Sequence, residues 1–395
     1  MTIEEPARQS TGHPLWQLAF RCCFLAAGSW AIIAMIRWLW WLHSPADWNY
    51  ALSPTWWHAH EMTFGFALPV VAGFLLTAVA TWTGLPGTRG WRLQCLFGLW
   101  LAARALLWLA PGQLQLALAI ELLFMSLVIW ELSRRLIAAR QWRNAWFPLI
   151  LFGLAAVDAT SHQLAGDPLA STRLFYAMIW LVTTLVVIIG GRVIPLFTSN
   201  RLGIKIAPLP GALEYLAAGI TLFIGAIMAL PGWQTSGPGF RLLCCLAAVI
   251  HLYRLARWQG WRTLQVPLLW SMHISYLCIP LTLLSLALAA GNPIAVKHLV
   301  HLLAIATIGG MILTMMSRVA LGHTGRTLEV PTYLAVAFAF VIIAGLVRSL
   351  LPVAVPQATG AAWNVSALLW SSAFTLFLWR YSPILTRPRV DGKPG

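Results

Sequence analysis

Residues 56–62 read WWHAHEM, so that two histidines, a glutamate and a methionine fall within five positions as His58, His60, Glu61 and Met62. Neutral imidazole ligates copper, iron and zinc, and a methionine thioether adds a preference for Cu(I). The stretch then continues TFGFALPVVAGF, which is made for lipid. An ionisable side chain at bilayer depth costs at least about 2.5 kcal/mol on insertion scales, so each one marks a candidate site, with a helix-packing hydrogen bond as the bland alternative.

Other apolar runs carry the same kind of residue. Asp158 and His162 fall near the end of one run, Glu121 lies inside another, and His298 and His301 open a third; Arg37, Arg104 and Arg348 are embedded as well. On ideal helices His58, Glu61 and Met62 share a face, His60 points about 200° away from His58, and His298 and His301 share a face that could grip one metal or one cofactor edge. Glu61, Asp158 and Glu121 are candidate proton carriers. His251 and His273, with Tyr276 a turn further on, form a thinner second set beside Met311, Met315 and Met316. Two histidines on different helices, facing across a planar gap, are how a bundle holds a b-type haem. Arg192, Arg318 and Arg326 have the planar, forked donors that haem propionates accept.

The elements that must position these residues are membrane spans. Of 395 residues, 59% are hydrophobic and 9% charged, and the mean hydropathy is +0.76, a balance foreign to soluble domains. Apolar runs long enough to cross roughly 30 Å of hydrocarbon as helices recur along the chain, and the short alternating strands of a barrel are missing. About twelve spans are expected, near 18–43, 56–80, 91–109, 113–138, 142–164, 173–198, 211–231, 239–257, 265–290, 294–317, 329–351 and 360–381. Short connections such as Pro86-Gly87 and Pro231-Gly232 leave no room for a soluble domain. The expectation is an all-α integral membrane protein in a single bundle, with tails at 1–17 and 382–395 around a transmembrane domain at 18–381.

The net charge of +15 does not point to nucleic acid, because the basic residues collect in alternate loops. Arg89 and Arg92, then Arg134, Arg135, Arg140 and Arg143, and later Arg254, Arg257 and Arg262 all follow even-numbered spans, the positive-inside pattern. Both termini are therefore expected in the cytoplasm, and the first span is expected to be an uncleaved anchor. Histidines near the starts of spans 2 and 10 and the end of span 5 then share one depth in the outer half. The six cysteines form no C-x-x-C pattern, which argues against covalent haem and a zinc knuckle.

Four segments together resemble the NnrS family of haem- and copper-containing bacterial membrane proteins: HAHEMTFGFALPVVAGFLLTAVATWTG (58–84), GGRVIPLFTSNR (190–201), LLWSMHISYLCIP (268–280) and HLLAIATIGGMILTMMSRVALGHTGR (301–326). The resemblance covers nearly the whole chain. Family histidines fall on His58, His60, His273, His301 and His323, and Glu61 and Arg192 also lie in family motifs; His162, His251 and His298 lie outside them. ATWTG at 80–84 departs from the pattern and touches no ligand. The resemblance implies haem b and copper, a bacterial inner membrane and a role in nitrosative-stress defence. The reaction expected is reduction of two NO to N2O, with electrons from quinol or a periplasmic donor. A non-catalytic NO sensor or sequestering protein is the first alternative, and a secondary transporter the second.

Overall fold

The structure is a computed structural model that describes residues 12–48, 52–230, 236–289 and 291–393. Residues 1–11 of the expected N-terminal tail, and parts of the loops at 44–55 and 232–238, lie outside the described residues. Among the described residues there are helices and no strands. Twelve helices among the described residues are long and apolar enough to cross a membrane, so the chain is a multi-pass membrane protein.

They are α1 (Ala19–His43), α2 (Pro54–Thr83), α3 (Trp91–Leu109), α4 (Leu114–Ala138), α5 (Trp146–Gln163), α6 (Pro168–Leu202), α7 (Gly211–Ala229), α8 (Pro238–Arg257), α9 (Pro267–Leu288), α10 (Pro293–His323), α11 (Thr332–Ala354) and α12 (Thr359–Thr386). Local sequence sets their ends. Ser53 caps α2 by accepting from the Trp56 amide at 3.1 Å, with Pro54 in the first turn. Asn292 caps α10 in the same way, its side chain accepting from the amides of Ile294 and Ala295 ahead of a first-turn proline. Gly84 closes α2 in a left-handed conformation at φ 69°.

Two helices change pitch part-way. In α2 the residues Glu61–Ala67 wind as a π-helix, where the Leu68 amide reaches back to Thr63 O, and in α10 the residues Leu302–Gly309 do the same. Each π-segment begins one residue after a histidine, His60 in α2 and His301 in α10. Wide turns of this kind interrupt helices mainly at functional positions. Gly65 is required in the first: a β-carbon there would run into the Trp30 indole and lie 2.8 Å from Glu61 Oε2.

The helices gather into two compact units. The first takes the chain through Thr172, together with Met315–Leu328 and the stretch from Phe374 onward; the second takes Arg173–Thr314 and Glu329–Ala373. The first unit thus holds α1 to α5, and the second holds α7, α8, α9 and α11.

Candidate metal centre

In the first unit, four helices bring their polar residues to one end. His60 and Glu61 stand near the start of α2, Arg104 in the last turns of α3, Glu121 near the start of α4, and Asp158 and His162 one turn apart at the end of α5. All six are buried, with His60, Glu61 and Asp158 fully so. Placing them together in lipid demands that they satisfy one another.

The geometry converges on one point. His60, Glu121, Asp158 and His162 each offer a ligand atom, and the four atoms lie within 4.8 Å of one another. His60 Nε2 is 3.1 Å from Asp158 Oδ1 and 3.4 Å from Glu121 Oε2, and His162 Nε2 is also 3.4 Å from Glu121 Oε2. The opposite nitrogens are engaged elsewhere. His60 Nδ1 faces Glu61 Oε1 at 3.0 Å, and His162 Nδ1 faces the backbone carbonyl of Asp158 at 3.0 Å. A metal-binding imidazole characteristically donates its second N–H to a carboxylate or a main-chain carbonyl, which fixes the tautomer and leaves the other lone pair for the ion. Both histidines meet that condition, and His162 Nε2 has no hydrogen-bond partner.

Aromatic rings hold the imidazoles in place. Trp56 stacks on His60 with ring centroids 4.6 Å apart and planes at 10°, while meeting His162 edge-on at 5.0 Å. Trp56 is itself anchored by its indole N–H, which donates to Ser161 O at 3.0 Å.

Charge points the same way. Among the described residues, Glu61 and Glu121 share one guanidinium, Arg104, whose Nε is 3.4 Å from Glu61 Oε2 and whose Nη2 contacts Glu121 Oε1, while Asp158 faces only the two imidazoles. Were both imidazoles neutral, the three carboxylates would exceed Arg104 by two negative charges, which a divalent cation would balance. Two imidazole nitrogens and two carboxylate oxygens suit iron, manganese, zinc or Cu(II). These four donors are nitrogens and oxygens, without the thioether that favours Cu(I). Donors this close could enclose a single ion but not the plane of a haem.

The remaining expected residues fall elsewhere. His58 stacks on Trp38, with centroids 4.2 Å apart, on a different side of α2 from the cluster. Ideal helical stepping grouped Glu61 with His58 and Met62; in the structure its carboxylate faces its sequence neighbour His60 instead. Arg318 and His323 lie late in α10, where the His323 carbonyl accepts from Arg389 Nη1 at 2.8 Å.

In the second unit, Arg348 of α11 faces His298 Nδ1 at 2.8 Å and His301 Nε2 at 3.3 Å. The face these histidines share is therefore turned toward a guanidinium. His251 has both nitrogens taken, Nδ1 by the Tyr276 hydroxyl at 2.8 Å and Nε2 by Thr221 Oγ1 at 3.0 Å, so it is a hydrogen-bonding residue and not a spare ligand. Arg254 binds Glu214 at 2.5 Å and also contacts the Tyr276 hydroxyl. A β-carbon at Gly191 would strike Arg254, which accounts for the glycine directly ahead of Arg192 in α6. His273 differs: Nδ1 donates to Leu269 O at 2.9 Å and Nε2 is buried without a partner. It is the one histidine of that unit, among those expected to ligate, that keeps a free buried nitrogen among the described residues.

That Glu121 and Asp158 could serve as ligands was not foreseen, since both were read as proton carriers. The spacing of Asp158 and His162, four residues apart on one helix, was the available signal.

The fold and this cluster define a polytopic, all-helical membrane protein whose interior can hold a metal ion. The chain matches the family model described as NnrS protein over residues 14–389 and belongs to the NnrS family. Membership links it to nitric oxide-related function. No curated protein matches the chain.

Proposed function

We propose that this protein binds nitric oxide at a single divalent metal ion held by His60, His162, Glu121 and Asp158, and that it reduces two NO to N2O in the bacterial cytoplasmic membrane. The observation that carries the metal reading is the paired orientation of the histidines, with each Nδ1 tied to an oxygen and each Nε2 3.4 Å from the same Glu121 Oε2. NO is small and apolar, so it reaches such a centre through lipid without a dedicated pore. The bound ion supplies ligation of NO and a change of oxidation state.

The chain's own residues do the rest. Glu121 and Asp158 compensate the ion, which removes them from proton transfer. Glu61 bonds a ligating imidazole without being a ligand and is the carboxylate left to carry protons; Arg104 holds Glu61 and Glu121 in place. The reaction consumes two NO, two protons and two electrons and yields N2O and water, with the electrons taken from a quinol or a periplasmic donor. The haem b implied by the family resemblance finds one fitting residue in the second unit, His273, whose unpartnered Nε2 suits an axial ligand. The positive-inside pattern of the loops supports cytoplasmic termini.

A second reading, NO sequestration, uses the same ion and residues without turnover: four protein donors would leave little room to bring two NO together at one ion. Purified protein, reduced anaerobically and given excess NO with an electron donor, separates the two readings. Sustained NO loss with N2O formation supports the reductase; uptake that stops at one NO per metal supports sequestration; no NO uptake by metal-replete protein overturns both.

A further inference from the structure

We propose that an arginine-lined groove in the first unit, between the turn joining α2 to α3 and the end of α4, binds the phosphate of an anionic lipid headgroup. The groove has a volume of about 460 Å³, and Arg89, Arg92, Arg134 and Arg135 line it together with Thr88 and Trp91.

Its walls are fixed from within. Arg135 Nε donates to Pro86 O at 2.8 Å, pinning the turn to α4, and Thr88 Oγ1 donates to Glu131 Oε2 at 2.8 Å. Glu131 is the acid that serves this cluster: it lies 2.7 Å from Arg134, 2.6 Å from Arg135 and 3.8 Å from Arg92. One carboxylate against four guanidinium groups leaves a concentrated positive charge. Some donors are still unused. Arg134 Nε is buried without a hydrogen-bond partner, Arg89 pairs with no acid among the described residues, and the amides of Gly87, Thr88 and Arg89 donate to no protein acceptor among them. Planar guanidinium forks and main-chain amides are the donors that phosphate oxygens accept.

The position selects a lipid as the source of the phosphate. The groove lies where α2 and α4 end and α3 begins, at the boundary of their apolar stretches, and Trp91 stands beside it with 69% of its surface exposed. An exposed tryptophan at a span end sits at the headgroup level, and basic pockets between span ends bind acidic headgroups such as that of cardiolipin. The volume exceeds what one phosphate ion fills and accommodates a phosphoglycerol.

The test uses the full chain in neutral detergent. Its thermal unfolding is followed during titration with cardiolipin, phosphatidylglycerol, phosphatidylcholine and, separately, inorganic phosphate. The two acidic lipids are expected to raise the midpoint and phosphatidylcholine is not; the double variant Arg89→Ala/Arg92→Ala is expected to lose at least tenfold in apparent affinity. Equal protection by phosphatidylcholine, or an unchanged response in the variant, overturns the proposal. Protection by millimolar inorganic phosphate that abolishes the lipid response assigns the groove to free phosphate and overturns the lipid. Should the double variant fail to fold, Arg89→Gln alone breaks no ion pair among the described residues and is expected to show the same loss in smaller degree.

Discussion

His60 Nε2 and Asp158 Oδ1 approach to 3.1 Å although 98 residues separate them in sequence. The contact joins the start of α2 to the end of α5, while the other imidazole nitrogen is held by Glu61 at 3.0 Å. An imidazole clamped between two acids in lipid is oriented on both sides. That orientation makes the centre testable one residue at a time.

Removing either imidazole is expected to empty the centre. His60→Ala or His162→Ala should reduce bound metal to below about a tenth of the wild-type content, because each contributes one of four donors. His58→Ala should leave metal content unchanged, since His58 packs on Trp38 outside the cluster. Elemental analysis of the purified variants checks both; metal lost from His58→Ala and kept in His60→Ala would reverse the assignment.

Glu61 stands one bond further out. Glu61→Gln keeps a hydrogen-bond acceptor for His60 Nδ1 and removes the acid, so metal affinity should fall by about 10- to 100-fold while one ion per chain still binds at saturation. NO consumption by the metal-saturated variant should fall further than metal affinity explains. Equal rates in the saturated variant and the wild type would remove Glu61 from proton transfer.

Arg104 pairs with both Glu61 and Glu121, and deleting one member of a buried ionic set costs about 3–5 kcal/mol. Arg104→Met should therefore lower thermal stability in detergent, more so after chelation than with metal bound, because the ion carries part of the compensating charge. An identical loss in both states would show that no cation shares the pocket with Arg104.

His251 makes a useful contrast. Both of its nitrogens are bonded, to Tyr276 and to Thr221. His251→Ala should cost about 1–3 kcal/mol through the groups left unpaired and leave the metal content of the chain intact. Loss of the metal in this variant would contradict the separation of the two networks.

The spans were legible because lipid imposes length and polarity together: α3 was expected at 91–109 and is found at Trp91–Leu109. The common depth of His60, Glu121, Asp158 and His162 was legible for the same reason, once span direction was assigned from the arginines. Their faces were not. The turns after His60 and His301 wind as π-helices, and no residue pattern in either segment announces the change of pitch. Arg348 bridging His298 and His301 was hidden for another reason, since it depends on how α10 and α11 rotate against each other. The last span was expected to stop at 381 and continues to Thr386, because apolarity marks where lipid ends and says little about where a helix does.

The segment after α12 carries its own prediction. Arg389 donates from Nε to Asp391 Oδ1 at 2.9 Å and from Nη2 to Oδ2 at 2.6 Å, and its Nη1 donates to the His323 carbonyl at 2.8 Å. The Val390 amide adds a bond to Thr324 O at 3.2 Å, so this segment clasps the end of α10. Gly325 makes the approach feasible: it holds φ at 76°, and a β-carbon there would lie 2.7 Å from the Asp391 carboxyl. Arg389 holds the Asp391 carboxyl well below the usual carboxylate range. A depressed value in the folded state means that the contribution is fully present above the unfolded value of about 3.9 and is lost as pH falls through the folded one. Hydrogen exchange at Val390 should therefore stay protected from about pH 8 down to about pH 5, with no inflection in that window. Asp391→Asn should raise exchange at Val390 across the same range and remove its dependence on acid below it. A midpoint in the wild type near neutral pH would assign the clasp to a titrating histidine in place of Asp391.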